Sequence, residues 1–505
     1  MLETLWDVFR RSLVTNGSRP ALSVGDATWT YDDLATAVAV AAGHLSDAGV
    51  VPGDRVILLC DNSASFPVYD LAIMATGAVK VPLNSMLTAS EIGDIARRVR
   101  PRVAVVSPVL DHLATELPDT CARLDGAVTE PGHPPVEPPA VGACGPDDLA
   151  FVGFTGGTTG KPKGIVHRQH PFVLNMMAHI VEGSIGPDEK LLLTTPLPHA
   201  AGLLALAGLL RGAHVRVEPA FDAEGTLRVM EREGITWTFA VPTMIYRMLD
   251  AAEATGIRPT ALRTIQYGAA PISPDRLRQA IGLFGPVLQQ LYAQTECPNF
   301  ATSLTKADHV RALDEPDLLS SCGRATLMCE VAVIDEDGNE VEPGVVGEVA
   351  LHAPYVMADY WEDPDGYVSR FAGRWMRTGD VGRLDAEGYL TLVDRRNDMI
   401  ISGGMNVYSV EVENVIAAHP SVGQVAVVAV PHPDWGEAVH AVIVPALGAA
   451  PDPDELTAYC RDELAAYKRP KSFEVLAELP LTVYGKVDKK ALRAPHWRDV
   501  GRNVG

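Results

Sequence analysis

The chain has few cysteines, fewer basic than acidic residues, and no long hydrophobic run. Its seven cysteines are odd in number, scattered and without CxxC spacing, so neither a disulfide framework nor a zinc site is indicated. The 42 lysines and arginines face 64 aspartates and glutamates, and the resulting net charge of −22 disfavours nucleic-acid binding. The longest apolar run, 200–210, is shorter than the roughly 20 residues that span a bilayer, and the N-terminal segment lacks the apolar core of a signal peptide. We therefore predict a cytoplasmic protein without a transmembrane helix.

Two common nucleotide motifs are also missing. The segment 155–164, TGGTTGKPKG, follows the apolar run LAFVGF, but Thr155 and Pro162 stand where a Walker loop needs Gly and Ser or Thr. There is no GxGxxG, which removes the main support for a dinucleotide site. Glycines that admit backbone N–H groups, together with hydroxyl and ammonium groups, still suit a polyphosphate. We predict that this loop binds phosphate and is more than a turn between a strand and a helix.

The order of patterns along the chain predicts an α/β fold. From about residue 20, short β-branched runs such as RVILLC and RVAVVS alternate with longer helical patterns, which favours α/β layers with largely parallel sheets. A DEDG turn between alternating strands predicts a small antiparallel or β-barrel-like unit near 325–395. The Pro-rich stretch 131–146 predicts an extended surface loop. We divide the chain into a large N-terminal domain, 1–396, and a small mobile α+β C-terminal domain, 397–505, joined at DRRNDMIISGG.

Four further groups of segments accompany the glycine-rich loop. In order they are PLPHAAG (196–202), YGAAP with LYAQTE (267–271 and 291–296), WMRTGD with DRRNDMIISGGMNVY (375–380 and 394–408), and PLTVYGK (480–486). Together they resemble the adenylate-forming superfamily of acyl-CoA synthetases, carrier-loading adenylation domains and luciferases. The resemblance covers essentially the whole chain and is closest to bacterial fatty-acid or aryl-acid CoA ligases. It implies an AMP-forming acid–thiol ligase that uses ATP, Mg²⁺ and CoA.

The resemblance implies a nucleotide site that is assembled from distant segments. In LYAQTE an aromatic ring faces the purine, Thr295 contacts the α-phosphate and Glu296 binds Mg²⁺, which suits the chemistry of these side chains. Asp380 accepts the ribose hydroxyls, and Arg395 donates to the same sugar. The implied ATP-binding set is Thr155, Gly156, Gly157, Thr158, Thr159, Gly160, Lys163, Gly268, Ala269, Ala270, Gln290, Leu291, Tyr292, Thr295, Asp380, Arg395 and Lys486.

The implied catalytic set is Lys486, Thr295, Glu296 and His199, with Lys486 serving the first step. A carboxylate that attacks the α-phosphorus builds negative charge on the equatorial oxygens, and an ammonium group there lowers the barrier. The C-terminal domain then rotates about a hinge at Asn397 and withdraws Lys486. This motion brings the face formed by Ser402, Gly403 and Gly404 toward the CoA thiol, which displaces AMP.

The segment HAAG at 199–202 limits the choice of acid. It lacks the Asp with which amino-acid-activating relatives hold the ammonium group, and it lacks the Asn that often follows the histidine in relatives loading ortho-hydroxybenzoates. His199 is implied to line the passage between the acyl pocket and the thiol entry. The pocket candidates are mostly apolar or aromatic, which suits a medium-chain fatty acid or a simple aryl acid. They are His199, Ala200, Ala201, Met244, Tyr267, Gly268, Ala269 and Pro298.

Three positions depart from the family pattern without removing a catalytic group. Asn397 stands at the hinge where Asp or Lys is usual, and Asn tolerates unusual backbone angles. Ala293 replaces the Gly usual after the tyrosine of LYAQTE. Ser409 replaces the Pro usual after NVY, which leaves the geometry of the thiol face open.

Two alternatives stay open at this point. The nearer is the same adenylation with another acceptor or acid, such as the pantetheine of a separate carrier protein, an amine, or nitrite as in diazo-forming relatives. The more distant is a non-catalytic nucleotide-binding protein of the same fold, against which stands the presence of Lys163, Glu296, Asp380, Arg395 and Lys486. The sequence does not distinguish a monomer from a homodimer.

Overall fold

The structure is a computed structural model that describes residues 3–137, 144–155, 162–395, 398–446, 448–481 and 487–497, without the side chains of Arg395 and Asp462. Its α-helices are α1 Leu5–Asn16, α2 Tyr31–Asp47, α3 Ser65–Ala75, α4 Ala89–Val99, α5 Gln169–Glu182, α6 Gly202–Arg211, α7 Ala223–Glu233, α8 Pro242–Thr255, α9 Pro274–Phe284, α10 Lys306–Arg311, α11 Pro364–Val368, α12 Ser409–Ala417, α13 Pro453–Glu463 and α14 Lys489–Trp497.

The first strands are β1 Pro20–Val24, β2 Ala27–Thr30, β3 Arg55–Leu59, β4 Val79–Pro82, β5 Val103–Val106, β6 Ala122–Asp125, β7 Leu149–Thr155, β8 Lys163–Arg168, β9 Lys190–Leu193, β10 His214–Val217, β11 Trp237–Ala240, β12 Thr264–Gly268, β13 Leu288–Gln294 and β14 Cys297–Leu304. The remaining strands are β15 Arg324–Ala325, β16 Glu330–Ile334, β17 Gly347–His352, β18 Asp359–Tyr360, β19 Phe371–Ala372, β20 Trp375–Leu384, β21 Leu390–Arg395, β22 Ile400–Ser402, β23 Met405–Val407, β24 Val422–His432, β25 Gly436–Pro445 and β26 Ser472–Val475.

Local sequence explains where several helices begin and which faces they bury. Helices α1, α2, α4 and α10 each follow a threonine whose hydroxyl accepts the N–H of an acidic residue three positions later, and the acidic side chain in turn accepts the N–H of the threonine. Helix α3 is buried along its whole length, and α6, which takes up the longest apolar run, is buried from Gly202 to Leu209. Neither these nor any other described helix combines the length and apolarity needed to cross a membrane.

Two large sheets form the α/β layers. The nine-stranded sheet has the order β15-β14-β13-β12-β11-β9-β10-β1-β2, and its central pairs from β13 to β1 are parallel. The seven-stranded sheet has the order β18-β8-β7-β4-β3-β5-β6, with parallel pairing from β7 to β6. The predicted α/β architecture with largely parallel sheets is confirmed. Antiparallel strands are added at the edges where β7 turns back into β8 and β13 into β14.

Two smaller sheets follow in the chain. Strands β16, β17, β20 and β19, with β21 on β20, form the antiparallel unit that was predicted near 325–395. The DEDG turn leaves β16 through Gly338, whose φ is +87°, although β17 begins only at Gly347. Residues 132–137 of the Pro-rich stretch are exposed, as a surface loop requires.

The C-terminal part forms its own α+β layers. Strands β24 and β25 pair antiparallel along most of their length, as predicted from QVAVVAV and HAVIVPA, and β26 joins β25 in parallel. Its two apolar clusters draw all their buried members from residues 400–492. The predicted division between residues 396 and 397 falls outside the described residues and stays a prediction.

Candidate active site

The glycine-rich loop joins two antiparallel strands, so the alternative of a turn from strand to helix is wrong. Thr155 at the end of β7 pairs with Lys163 at the start of β8. Five predicted phosphate ligands of this loop lie outside the described residues: Gly156, Gly157, Thr158, Thr159 and Gly160. The Lys163 ammonium lies 4.6 Å from the centre of the Tyr360 ring and 3.4 Å from Asp363 Oδ2.

Thr295 and Glu296 form the tight turn of a hairpin. Gln294 of β13 pairs with Cys297 of β14, so that only these two residues lie between the strands. His167 on β8 lies with Nε2 2.9 Å from the Thr295 carbonyl oxygen, and the Met357 N–H donates to the Glu296 carbonyl at 2.7 Å. Burial lowers the pKa of His167 to about 4, so the ring is neutral at physiological pH and Nε2–H can donate to this carbonyl. Two separate parts of the chain therefore fix the position of the turn.

The Glu296 carboxylate is held by two groups that sequence reasoning missed. The Tyr360 hydroxyl donates to Glu296 Oε1 at 2.9 Å, and Arg370 Nη2 lies 3.5 Å from the same oxygen. Burial and the neighbouring Glu296 raise the pKa of Tyr360, which keeps this hydroxyl protonated. Among the described residues both contacts use Oε1, which leaves Oε2 to a cation. A nearly buried carboxylate oxygen of this kind fits Mg²⁺.

Asp380 lies on β20, in another sheet, and contacts the end of β13. Its Oδ2 accepts the Tyr292 hydroxyl at 2.7 Å and Gln294 Nε2 at 2.9 Å. Arg370 Nη2 donates to Gln294 Oε1 at 3.3 Å, so this guanidinium connects Glu296 with the group around Asp380. Asp380 also pairs in register with Arg395 across β20 and β21. The structure thus brings Tyr292, Glu296 and Asp380 together, and the backbone of Arg395 beside them.

The sequence makes one of the three missed residues, Gln294, easier to predict than the other two, Tyr360 and Arg370. Gln294 lies inside the LYAQTE segment and could have been named from its neighbours. Tyr360 and Arg370 lie between two recognised segments, in a stretch of short elements, and nothing in their local pattern points to the site. Only the pairing of β18 with β8 places Tyr360 beside Lys163.

The YGAAP segment lies where β12 ends against β13. A Cβ atom on Gly268 would lie 2.4 Å from the Leu291 carbonyl oxygen, so only glycine permits this close approach. Ala269 then adopts a φ of +68°, in the left-handed region. Gly268 and Leu291, both in the predicted ATP-binding set, therefore lie against each other, whereas Gln290 faces Tyr267, whose hydroxyl is 3.4 Å from Gln290 Oε1.

The acyl-pocket candidates divide into two groups. His199 departs from helical angles (φ −116°, ψ −150°) inside the turn 197–201, and its Nε2 lies 2.7 Å from Asn84 Nδ2. Asn299, next to Pro298, places Nδ2 3.4 Å from the Ala200 carbonyl oxygen, which joins these two segments. Ala201 is buried beside them.

Met244 and Tyr267 belong instead to the apolar cluster under helices α8 and α9. Tyr267 is fully enclosed, and its hydroxyl lies 2.8 Å from His309 Nε2. The Tyr267 hydroxyl therefore forms its hydrogen bond within the core, to His309. A role for Tyr267 and Met244 in the acyl pocket stays a prediction that depends on their apolar atoms.

The predicted CoA face forms a tight turn between β22 and β23. Gly403 and Gly404 have φ values of +59° and +81°, which glycine adopts without strain, and Ser402 before them is fully buried. A Cβ atom on Gly403 would lie 3.1 Å from the Trp435 ring. Lys486 and Asn397 lie outside the described residues, so their roles stay predictions.

A partly buried polar cluster flanks both of these positions, and we call it the junction cluster: Asp394, Asp398, Ser409, Glu413, Lys489 and Arg493. Ser409 donates its backbone N–H to Asp394 Oδ2 and its hydroxyl to Asp394 Oδ1 at 3.1 Å. Lys489 Nζ lies 2.7 Å from Ser409 Oγ and 2.7 Å from Glu413 Oε1. Proline at position 409, the usual residue in the family, has no N–H to donate.

The remaining pair of the junction cluster joins Arg493 to Asp398 at 3.0 Å. Burial acts to lower the pKa of Lys489, but the carboxylates of Glu413, Asp394 and Asp398 outweigh it and raise that pKa above its usual value. Lys489 therefore stays charged. Helix α14, which follows Lys486, is thus bound to the strand that precedes residue 397.

Comparison with known proteins assigns the family. The profile described as AMP-binding enzyme matches residues 9–361, and that of the AMP-binding enzyme C-terminal domain matches residues 411–486. The medium/long-chain-fatty-acid–CoA ligase FadD8 of Mycobacterium tuberculosis is 38% identical over 80% of this chain and 70% of its own length. A feruloyl-CoA synthase of an Amycolatopsis species is 35% identical over 97% of this chain and 98% of its own.

Two solved structures match over nearly the whole length. The amide bond synthetase McbA from Marinactinospora thermotolerans has a TM-score of 0.88 at 32% identity, covering 97% of this chain and 99% of its own. ATP-bound MatB from Rhodopseudomonas palustris has a TM-score of 0.85 at 28% identity, covering 98% of this chain and 100% of its own.

The chain therefore belongs to the adenylate-forming superfamily of AMP-binding enzymes. It is an ATP-dependent ligase that forms acyl-adenylates, with ATP and an acid as substrates.

Proposed function

We propose that the protein is an acyl-CoA ligase that activates a medium-chain fatty acid or a simple aryl acid and transfers the acyl group to CoA. The observation that supports this proposal is the convergence of Tyr292, Glu296 and Asp380 at the end of β13, where Arg370 connects Glu296 with the group around Asp380. One end of this group offers an acceptor to ribose. The other offers a carboxylate to phosphate-bound Mg²⁺.

In the first step a carboxylate oxygen of the acid attacks the α-phosphorus of ATP. The bond between the α-phosphorus and the bridging oxygen breaks, and pyrophosphate leaves. Glu296 would hold Mg²⁺ through its available Oε2, and the bound ion neutralises phosphate charge. Lys486 would stabilise the charge that develops on the equatorial oxygens, while Lys163 would stabilise the leaving pyrophosphate.

The site also determines which groups must move when phosphates enter. The Lys163 ammonium lies over the Tyr360 ring and near Asp363, and Tyr360 in turn holds Glu296. A phosphate would replace Asp363 as the partner of Lys163, because a phosphate carries more charge than the partly exposed carboxylate. Lys163 and the proposed metal ligand Glu296 therefore both contact Tyr360, so a shift of Lys163 toward phosphate can affect the position of Glu296.

In the second step the thiol sulfur of CoA attacks the acyl carbon of the adenylate. The carbon–oxygen bond to AMP breaks, AMP leaves, and the thiol proton passes to water. The turn at Gly403 and Gly404 would admit the pantetheine beside Gly404, where a Cβ atom would meet no described atom within 4 Å. Two relatives named for CoA thioesters, of a fatty acid and of an aryl acid, support both the acceptor and the range of acids.

An amine is the second candidate acceptor, because the amide bond synthetase McbA shares the fold over almost the whole chain. The test is pyrophosphate release across fatty, aryl and dicarboxylic acids and nitrite, each with CoA, with an amine, or with neither. We expect release with a fatty or aryl acid, and continued AMP formation with thioester product only when CoA is present. Lys486→Ala, assayed in parallel, supplies the background from contaminating ATPases.

The outcomes separate the candidates. AMP formation sustained by an amine and indifferent to CoA would assign amide synthesis. Pyrophosphate release with nitrite and with none of the carboxylic acids would identify nitrite as the acid that is activated. If no acid releases pyrophosphate above the Lys486→Ala background, the catalytic proposal is wrong.

A further inference from the structure

Three side chains that could hold a metal ion meet in the C-terminal part of the chain. They are His440 on β25, Glu474 on β26 and His496 on α14, and their ligand atoms all lie within 4.8 Å of one another. His440 Nε2 lies 3.5 Å from Glu474 Oε2, and the two imidazole rings are 4.9 Å apart at an angle of 57°. The three residues are far apart in the sequence and form no motif, so the pattern of cysteines and histidines along the chain gave no sign of them.

His440 is oriented as a ligand would be. The residue is 4% exposed, its Nδ1 lies 2.7 Å from Ser472 Oγ, and its Nε2 is buried without a hydrogen-bond partner in the described structure. A hydroxyl on one ring nitrogen fixes the imidazole and directs the other nitrogen toward a metal, which is the usual arrangement around metal-bound histidines. Here that other nitrogen lies 3.5 Å from Glu474 Oε2, and the His496 ring is adjacent.

The geometry at His440 suits a cation. Its Nε2 lies 3.5 Å from Glu474 Oε2, and Ser472 occupies the other ring nitrogen. When Nδ1 carries the ring proton and donates it to Ser472, the Nε2 lone pair faces the Glu474 carboxylate, and a cation between these two groups would be bound by both.

We propose that His440, Glu474 and His496 form a site for a divalent transition metal, with Zn²⁺ as the best fit. Two imidazoles and one carboxylate are ligands that Zn²⁺ prefers, whereas Mg²⁺ and Ca²⁺ prefer oxygen alone. Ligand atoms about 2.0–2.2 Å from a tetrahedral ion lie roughly 3.3 Å apart, close to the distance between His440 and Glu474. Glu474, whose side chain is 45% exposed, and the partly exposed His496 can rotate to close the remaining gap. Water would take the fourth position.

The role of this site is structural. The metal would bind the end of α14 to β25 and β26, while Lys489 and Arg493, in its first five residues, pair with Glu413 and Asp398 of the junction cluster. Helix α14 follows directly on the segment that contains Lys486. Zinc would therefore fix the helix that leads from the proposed catalytic lysine, without contacting substrate.

The test measures zinc binding to the full-length, untagged enzyme after chelator treatment. Bound metal is determined by elemental analysis after gel filtration, and affinity by competition with a zinc-chelating dye. The variants are His496→Gln and Glu474→Gln, which change exposed groups, and Ser472→Ala, which removes the partner of His440 Nδ1. His352→Gln is the matched control, because His352 also faces a carboxylate, Glu330 at 3.2 Å, but has no third metal-ligating side chain beside it among the described residues.

We expect about one zinc per wild-type and per His352→Gln chain, and an affinity lower by about 10- to 100-fold or more in the other three variants. Zinc should also slow amide exchange in residues 489–497 of the wild type and leave that exchange unchanged in His496→Gln. The proposal is overturned if the wild type binds no stoichiometric zinc. It is equally overturned if His496→Gln and Glu474→Gln bind as tightly as the control, since the chain has 14 histidines that could bind zinc elsewhere.

Discussion

Replacement of Asp380 by asparagine tests the ribose end of the site while preserving its shape. The amide oxygen of the new side chain can take the place of Oδ2 and accept Tyr292 and Gln294, which lie at 2.7 and 2.9 Å. The amide nitrogen of the asparagine then takes the position of Oδ1, the other carboxylate oxygen of Asp380. A ribose hydroxyl that donated to this acceptor would meet an N–H instead.

The expected magnitude follows from these contacts. A hydrogen bond to a charged group contributes about 1.5–3 kcal/mol, and 1.4 kcal/mol corresponds to a factor of ten. Asp380→Asn should therefore raise the KM for ATP by about 10- to 150-fold. The contacts of Tyr292 and Gln294 survive in weaker, neutral form, so we expect the free energy of unfolding to fall by only about 1–2 kcal/mol.

The assay is ATP-dependent pyrophosphate exchange, with the KM for ATP and for the acid measured separately. Asp250→Asn is the matched control, because it removes the same charge from a side chain that is 61% exposed and contacts Arg276 on the surface. An unchanged KM for ATP in Asp380→Asn would refute the ribose role. An equal rise in the KM for the acid would show that the substitution disturbs the whole site.

The other predictions concern the phosphate end and stability. Lys486→Ala should abolish adenylate formation and spare thioester formation from preformed adenylate, and Lys163→Ala should act in the same direction; equal loss in both half-reactions contradicts these roles. Tyr360→Phe should slow adenylation by about tenfold or more, because Glu296 loses a hydrogen bond of about 1.5–3 kcal/mol; an unchanged rate at all Mg²⁺ concentrations speaks against it. Burial lowers the pKa of His167 to about 4 in the folded protein, so the folded state does not bind a proton at this ring until the pH is near 4. In the unfolded chain the same histidine binds a proton below about pH 6.5, which favours unfolding at lower pH. The thermal midpoint should therefore fall as the pH is lowered from 6.5 to 4, and a midpoint that stays level or rises would contradict this.

The fold was predictable because its signals are local and repeated. The alternation of β-branched runs with helical patterns gave the α/β layers, and one DEDG turn gave the antiparallel unit around β16 and β17. The strand pair β24 and β25 followed from two apolar runs of similar length. Each of these features depends on periodicity within a few residues, which a single sequence displays.

The candidate site was predictable only where its residues lie in recognisable segments. Glu296 and Asp380 were named from QTE and TGD, but the arginine that connects them was not. Arg370 contacts Glu296 and Gln294 because β19 and β20 bring it across the sheet edge, and such a contact depends on tertiary register. The same reason hid the group of His440, Glu474 and His496, whose members come from three separate elements.

The two hydrogen bonds between Ser409 and Asp394 have a consequence for the timing of the reaction. They connect residues on opposite sides of position 397, and Lys489 donates to the same Ser409 hydroxyl. If the C-terminal part turns about residue 397 between the two half-reactions, these bonds must break and form again in every catalytic cycle. The interval between the two chemical steps would then depend on Ser409. In a relative with proline at this position, which has neither an N–H nor a hydroxyl, the same rotation breaks two hydrogen bonds fewer.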